Sequence, residues 1–174
     1  ARVKTHLALR AKVDKLRKAH KKIEQLKIKI GKELRVGRKI QESILPSNFP
    51  AFPDHDEFDV FASLQPAQEF KGDFYDFFFI GDDRFCFCIG DVAGKGVQAA
   101  LFMSVTKTII KSRAGDDFST ASIITHVNEA LSAVNQASMS VTLFIGILNI
   151  KTGRLVYTNA GHESPFASGR PKVR

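Results

Sequence analysis

Three closely spaced prolines, Pro46, Pro50 and Pro53, constrain this chain most, because they force a change of structure at one point. Proline removes a backbone donor and disfavours helical geometry in the residue before it, so a helix arriving from the N-terminus must stop near Leu45. Two regions follow, a helical linker over residues 1–45 and a globular part over 46–174. Their charge differs in sign. Residues 1–44 carry 15 Lys and Arg against 4 Asp and Glu, a balance of +11, and the remainder carries 11 against 14, a balance of −3, which together give the net +8. The basic character therefore belongs to one element. A solvated helix surface accounts for it more simply than nucleic acid or an anionic membrane, and no nucleic-acid partner is expected.

Within that element Leu9, Leu16, Ile23, Ile30 and Ile44 fall on a seven-residue spacing interrupted only at Gly37. The companion line, Val13, His20, Lys27, Leu34 and Gln41, is half polar. Such a pattern permits a coiled-coil homodimer while fixing its register poorly. Gly31 and Gly37 each cost about 1 kcal/mol in a helix interior, and bends or breaks are expected there.

The globular part reads as α+β. Phe58–Leu64, Asp73–Ile80 and Arg84–Ile89 are aromatic-rich and strand-like, the last two joined by a Gly81-Asp82-Asp83 turn. Gly96–Arg113 has apolar residues at helical spacing (Val97, Ala100, Leu101, Val105, Ile109), and Ser119 or Thr120 can cap a second helix running to about Val134. Val141–Ile150 and Arg154–Asn159 form a second hairpin across Lys151-Thr152-Gly153.

No stretch approaches the roughly 20 apolar residues that cross a bilayer, and the N-terminus lacks the apolar core of a signal peptide. Cys86 and Cys88, two residues apart in an apolar run, read as buried free thiols, and a reducing, cytoplasmic setting is expected. The lack of an initiating Met suggests a piece of a longer chain with a sensor domain upstream.

Three carboxylates stand at the ends of apolar strands: Asp73 and Asp76 in "KGDFYDFF" and Asp91 in "IGDVAGKG". A carboxylate there can offer hard oxygen to Mg²⁺ or Mn²⁺, although Asp beside Gly at a strand end is also ordinary turn chemistry. The loop "GDVAGKG" is not a Walker phosphate loop, since its glycine spacing is too short and Gly96 stands where Ser or Thr must be. Gly94 and Gly96 let backbone approach an anion at a helix start, and Lys95 can pair with phosphate. His162 and Glu163 could act as acid and base, but a histidine in a strand-end loop is more often structural. His126 reads as surface or packing, and His6, His20 and His55 have no partners at metal-ligand spacing.

In order along the chain, "IQESILPSNFP", "PAQEFKGDFYDFF", "FCIGDVAGKGVQAALFMS", "VNEAL" and "TLFIGILNIKTGRLVYTNAGHESP" resemble the SpoIIE-like and RsbU-like bacterial phosphatases of the PPM superfamily, over residues 40–166. The resemblance implies an antiparallel β-sandwich flanked by helices, with two Mg²⁺ or Mn²⁺ ions at one end of the strands. Asp73 and Asp91 match the family's metal aspartates, with Asp91 bridging and the Val92 carbonyl beside it. Asp76 matches a motif position whose role is a second sphere around the ions or purely structural, and Gly94, Lys95 and Gly96 are candidates for phosphate binding. No side-chain nucleophile is implied: water activated by the ions attacks phosphorus, and Cys86 and Cys88 are left as packing residues.

The substrate implied is phosphoserine or phosphothreonine on a partner-switching regulator such as an anti-sigma factor antagonist, with the helix ending at "IQESILP" relaying an upstream signal. Two departures stand out. Lys71 occupies a position where the family usually has glycine, and a later TDG-like segment with a further metal aspartate is missing from these 174 residues. One metal site is therefore expected to be crippled and the sheet to carry unpaired edges. A non-catalytic interaction or dimerisation module derived from the phosphatase fold is the rival reading.

Overall fold

The basic segment forms one helix, α1 (Arg2–Ile44), in the computed structural model, which describes residues 2–65, 70, 72–116, 119–136 and 138–169. It runs through Gly31 and Gly37 without a break. The Lys, Arg, Glu and Leu around the two glycines are strong helix formers and outweigh them. Leu9, Leu16, Ile23 and Ile30 are each more than half exposed. The chain divides into two compact units, residues 1–42 and 43–174.

The second unit is built on one antiparallel sheet of four strands in the order β1 (Phe74–Ile80), β2 (Arg84–Val92), β3 (Val141–Asn149) and β4 (Leu155–Ala160). Two helices, α2 (Val97–Asp116) and α3 (Thr120–Val134), are inserted between β2 and β3. The hairpins turn at Gly81 and Gly153, both at positive φ, where glycine meets no steric penalty. Ser119 caps α3 by accepting from the Ser122 amide. The antiparallel sheet flanked by helices is thus the one expected; among the described residues it forms a single layer of the implied sandwich.

Strand alternation divides the side chains between two faces. Cys86 and Cys88 of β2 and Leu143, Ile145 and Ile147 of β3 are buried in one core with Met103 and Ile110 of α2 and Ile123, Val127 and Leu131 of α3. Burial pushes the Cys86 thiol up to about 12, with the Asp76 carboxylate adding to it, and pushes Cys88 up as well. Both thiols are therefore inert packing groups. The other face is aromatic: Phe79 and Phe85 carry Phe52 and Phe58 from the proline-rich connector, with ring centroids 5.0 Å apart for Phe52–Phe79 and 4.6 Å for Phe58–Phe85, and Phe87 stacks on Phe85.

One expectation is corrected here. Phe58–Leu64 forms no strand; the aromatic residue at its head serves to cover the sheet. α2 forms where the helical spacing predicts it; Ala99, Ala100, Met103, Thr106, Ile110 and Ala114 are buried, while Val97, Leu101 and Val105 are exposed.

Candidate metal centre

The sheet register gathers the site. Phe74 pairs with Gly90, so Asp73 and Asp91 lie at the same end of β1 and β2, one step beyond that pair. Asp91 in turn pairs with Thr142 of β3, and Leu143 pairs with Ala160, which places Gly161 and His162 at the same end of β4. Asp73, Asp91, Thr142 and His162 thus come from four successive strands, and all line one cleft of about 460 Å³.

Close backbone approach joins the β1 and β2 strand ends next to this cleft. The Val92 amide donates to the Gly72 carbonyl at 3.3 Å, and a Cβ on Gly72 would meet the Val92 carbonyl oxygen and lie 2.7 Å from the Val92 Cβ. Glycine is the one residue that fits. A Cβ on Gly90 would likewise lie 2.6 Å from the Phe74 ring and 2.9 Å from the Thr142 carbonyl oxygen. The cleft lining offers the Asp73 and Asp91 carboxylates, oxygen donors that suit a hard cation such as Mg²⁺ or Mn²⁺, while Val92, whose carbonyl was expected beside them, is buried and is not among the lining residues. Among the described residues no three His, Cys, Asp or Glu side chains stand close enough to share an ion.

The remaining sequence candidates separate. Asp76 lies on the inner face of β1, almost fully buried, with Oδ1 accepting from the Phe77 amide at 3.0 Å and Oδ2 2.8 Å from the Lys107 ammonium. Its charge is paired inside the core, and it is not among the residues that line the cleft. Gly94 and Gly96 adopt positive φ where the chain turns into α2, and neither they nor the exposed Lys95 line the cleft. Lys71 lies outside the described residues.

Sequence reasoning passed over Thr142 and Asn159 and read His162 as structural. Thr142 Oγ1 is 2.9 Å from His162 Nδ1. Asn159 grips the same residue from both sides, its Oδ1 accepting from the His162 amide at 2.8 Å and its Nδ2 donating to the His162 carbonyl at 3.0 Å. The signal available was the "NAGH" string closing a strand, with glycine at the bend.

A family profile described as Stage II sporulation protein E (SpoIIE) matches residues 81–170, which hold β2 and everything through β4. The chain belongs to the SpoIIE family. Protein IcfG of Synechocystis sp. (strain ATCC 27184 / PCC 6803 / Kazusa) is 34% identical over 161 residues, covering 77% of this chain and 25% of that protein. Phosphoserine phosphatase RsbU of Bacillus subtilis (strain 168) is 28% identical over 148 residues, covering 84% of this chain and 43% of that protein. The chain thus spans between a quarter and under half the length of these relatives. The SiaA-PP2C domain of Pseudomonas aeruginosa superposes with a TM-score of 0.59 at 20% identity, over 76% of this chain and 54% of that one, a likeness of fold. In this SpoIIE-family chain no helix among the described residues is long and apolar enough to cross a membrane.

Proposed function

We propose that this chain is a catalytic segment of a cytoplasmic metal-dependent phosphatase that hydrolyses phosphoserine or phosphothreonine on a regulatory protein of the partner-switching type, such as an anti-sigma factor antagonist. One observation carries the reading: Asp73 and Asp91, brought side by side by the β1–β2 register, line a single cleft, and the Gly72–Val92 backbone contact ties together the chain next to each of them. The similarity to a protein named phosphoserine phosphatase RsbU supports the substrate class.

Asp73, Asp91 and the Val92 carbonyl would hold Mg²⁺ or Mn²⁺, two ions in the full domain. When bound, the ions would lower the pKa of a water and offset charge on the phosphoryl oxygens. The chain's own residues supply position. The strand ends fix both carboxylates on rigid backbone, and Gly72 and Gly90 let that backbone close up without a side chain between. The exposed Lys95 is available to a phosphoprotein approaching from outside.

The exposed line Leu9, Leu16, Ile23 and Ile30 supports pairing of α1 with a second copy, which would let an upstream sensor bias the phosphatase unit through the helix. A second reading, a non-catalytic interaction module, is favoured by the lack of a third ligating side chain beside Asp73 and Asp91 among the described residues. Calorimetric titration of Mn²⁺ separates the two. Binding that disappears in Asp91→Asn supports the phosphatase, and heats unchanged by that substitution support the module.

A further inference from the structure

The turn after β4 forms part of the cleft wall, and the chemistry described so far makes no use of it. His162 and Glu163 line the cleft with Asp73 and Asp91. Three contacts immobilise His162: the Thr142 hydroxyl on Nδ1, and the Asn159 side chain on its backbone amide and carbonyl. A histidine that only filled space on an edge turn would not need this clamp. Thr142 is moreover the register partner of Asp91, so the residue that orients the imidazole is fixed to the strand that carries the metal aspartate.

The charge of the cleft gives the clamp a purpose. Asp73, Asp91 and Glu163 are acidic, and His162 is the one cleft-lining side chain among the described residues that can carry positive charge. The Tyr75 hydroxyl is committed to the Pro46 carbonyl at 2.7 Å. With Nδ1 held by Thr142, Nε2 is the ring nitrogen left for a ligand. In the neutral ring a Thr142 hydroxyl that donates to Nδ1 leaves the proton on Nε2, and in the imidazolium both nitrogens are protonated. Nε2 is a donor in both of these states.

Resting on the phosphatase reading, we propose that His162 is a substrate-binding residue whose Nε2–H donates to a phosphoryl oxygen, with Thr142 and Asn159 as its positioning residues. It holds the phosphoryl group from the β4 side of the cleft, opposite the β1 strand end.

The test is a titration of the full ¹⁵N-labelled chain with inorganic phosphate in the presence of Mg²⁺, followed through the histidine ring nitrogens and the backbone amides. The expected result is a protonated His162 Nε2 that shifts on phosphate addition. Loss of a hydrogen bond to a charged group should weaken phosphate binding by roughly tenfold or more in His162→Phe and in Thr142→Val. His162→Gln, whose amide N–H reaches about where Nε2 lies, should stay within about threefold of the wild type. If phosphate moves the Gly90 and Asp91 amides while His162 stays still, or if His162→Phe binds as tightly as the wild type, the proposal is overturned and the phosphatase reading stands. No response anywhere in the wild-type cleft overturns both. Should His162→Phe lose its folded amide spectrum, the wild-type ring shift and the Gln variant still decide the question.

Discussion

Lys107 of α2 holds its ammonium 2.8 Å from Asp76 Oδ2 on β1, and the same ammonium donates at 2.8 Å to the carbonyl of Ile44. Both side chains are almost fully buried, so the pair is a charged tie inside an apolar core joining strand, helix and the entry to the unit.

Breaking one side of such a tie strands the other charge away from water. Lys107→Met should therefore destabilise the fold by about 3–5 kcal/mol, and Asp76→Leu combined with Lys107→Met should recover much of that loss. Urea unfolding of the three proteins measures it. A double variant as unstable as Lys107→Met alone would contradict the account.

Gly72 sits where any side chain would enter the Val92 backbone. Gly72→Ala should cost about 1–3 kcal/mol of stability by overpacking, and it should weaken Mn²⁺ binding because Asp73 and the Val92 carbonyl are pushed apart. Thermal unfolding and calorimetry on one sample check both effects.

The buried thiols make stability depend on alkaline pH. Cys86 is raised from 9.0 to about 12 by burial, and Cys88 is also raised, so the folded chain keeps protons that the unfolded chain releases. Their contribution is complete below pH 9 and is lost as pH climbs towards 12, by at most about 1.4 kcal/mol per pH unit for each thiol. Melting temperature should fall across that window and fall less in Cys86→Ala. At pH 8 a disulfide reagent should label neither thiol until the protein unfolds.

Much of the fold was legible because periodicity and punctuation agree: Gly81 and Gly153 mark the hairpins, Ser119 caps α3, and the prolines end α1. The errors have physical causes. Phe58 has the composition of a strand residue but spends its ring on Phe85. Which face of α2 is buried was not legible, since Val97, Leu101 and Val105 fit the helical pattern as well as the buried residues do and packing against the sheet and α3 selects between them. Asp73 and Asp91 were singled out by their motifs, and both line the cleft. Thr142 could not, since its importance arises from pairing with Asp91 across a register no local pattern records. The role of Asp76 depended on Lys107, a helix residue whose arrival beside it is purely tertiary.

If α1 pairs through its exposed apolar line, charges placed there should prevent pairing while leaving the helix intact. Leu16→Lys with Ile23→Lys in the full chain should abolish concentration-dependent association in sedimentation experiments and leave helical content unchanged. Association that survives both substitutions would place the contact elsewhere.

The most direct test of the central claim is hydrolysis of p-nitrophenyl phosphate by the full chain with and without Mn²⁺, in the wild type, Asp73→Asn and Asp91→Asn. The account predicts activity that requires the ion and falls by roughly a hundredfold or more in each variant, since the amide removes the charge that would hold it. Hydrolysis that persists in a chelator or in Asp91→Asn, or a wild-type chain inert at every Mn²⁺ concentration, would contradict it.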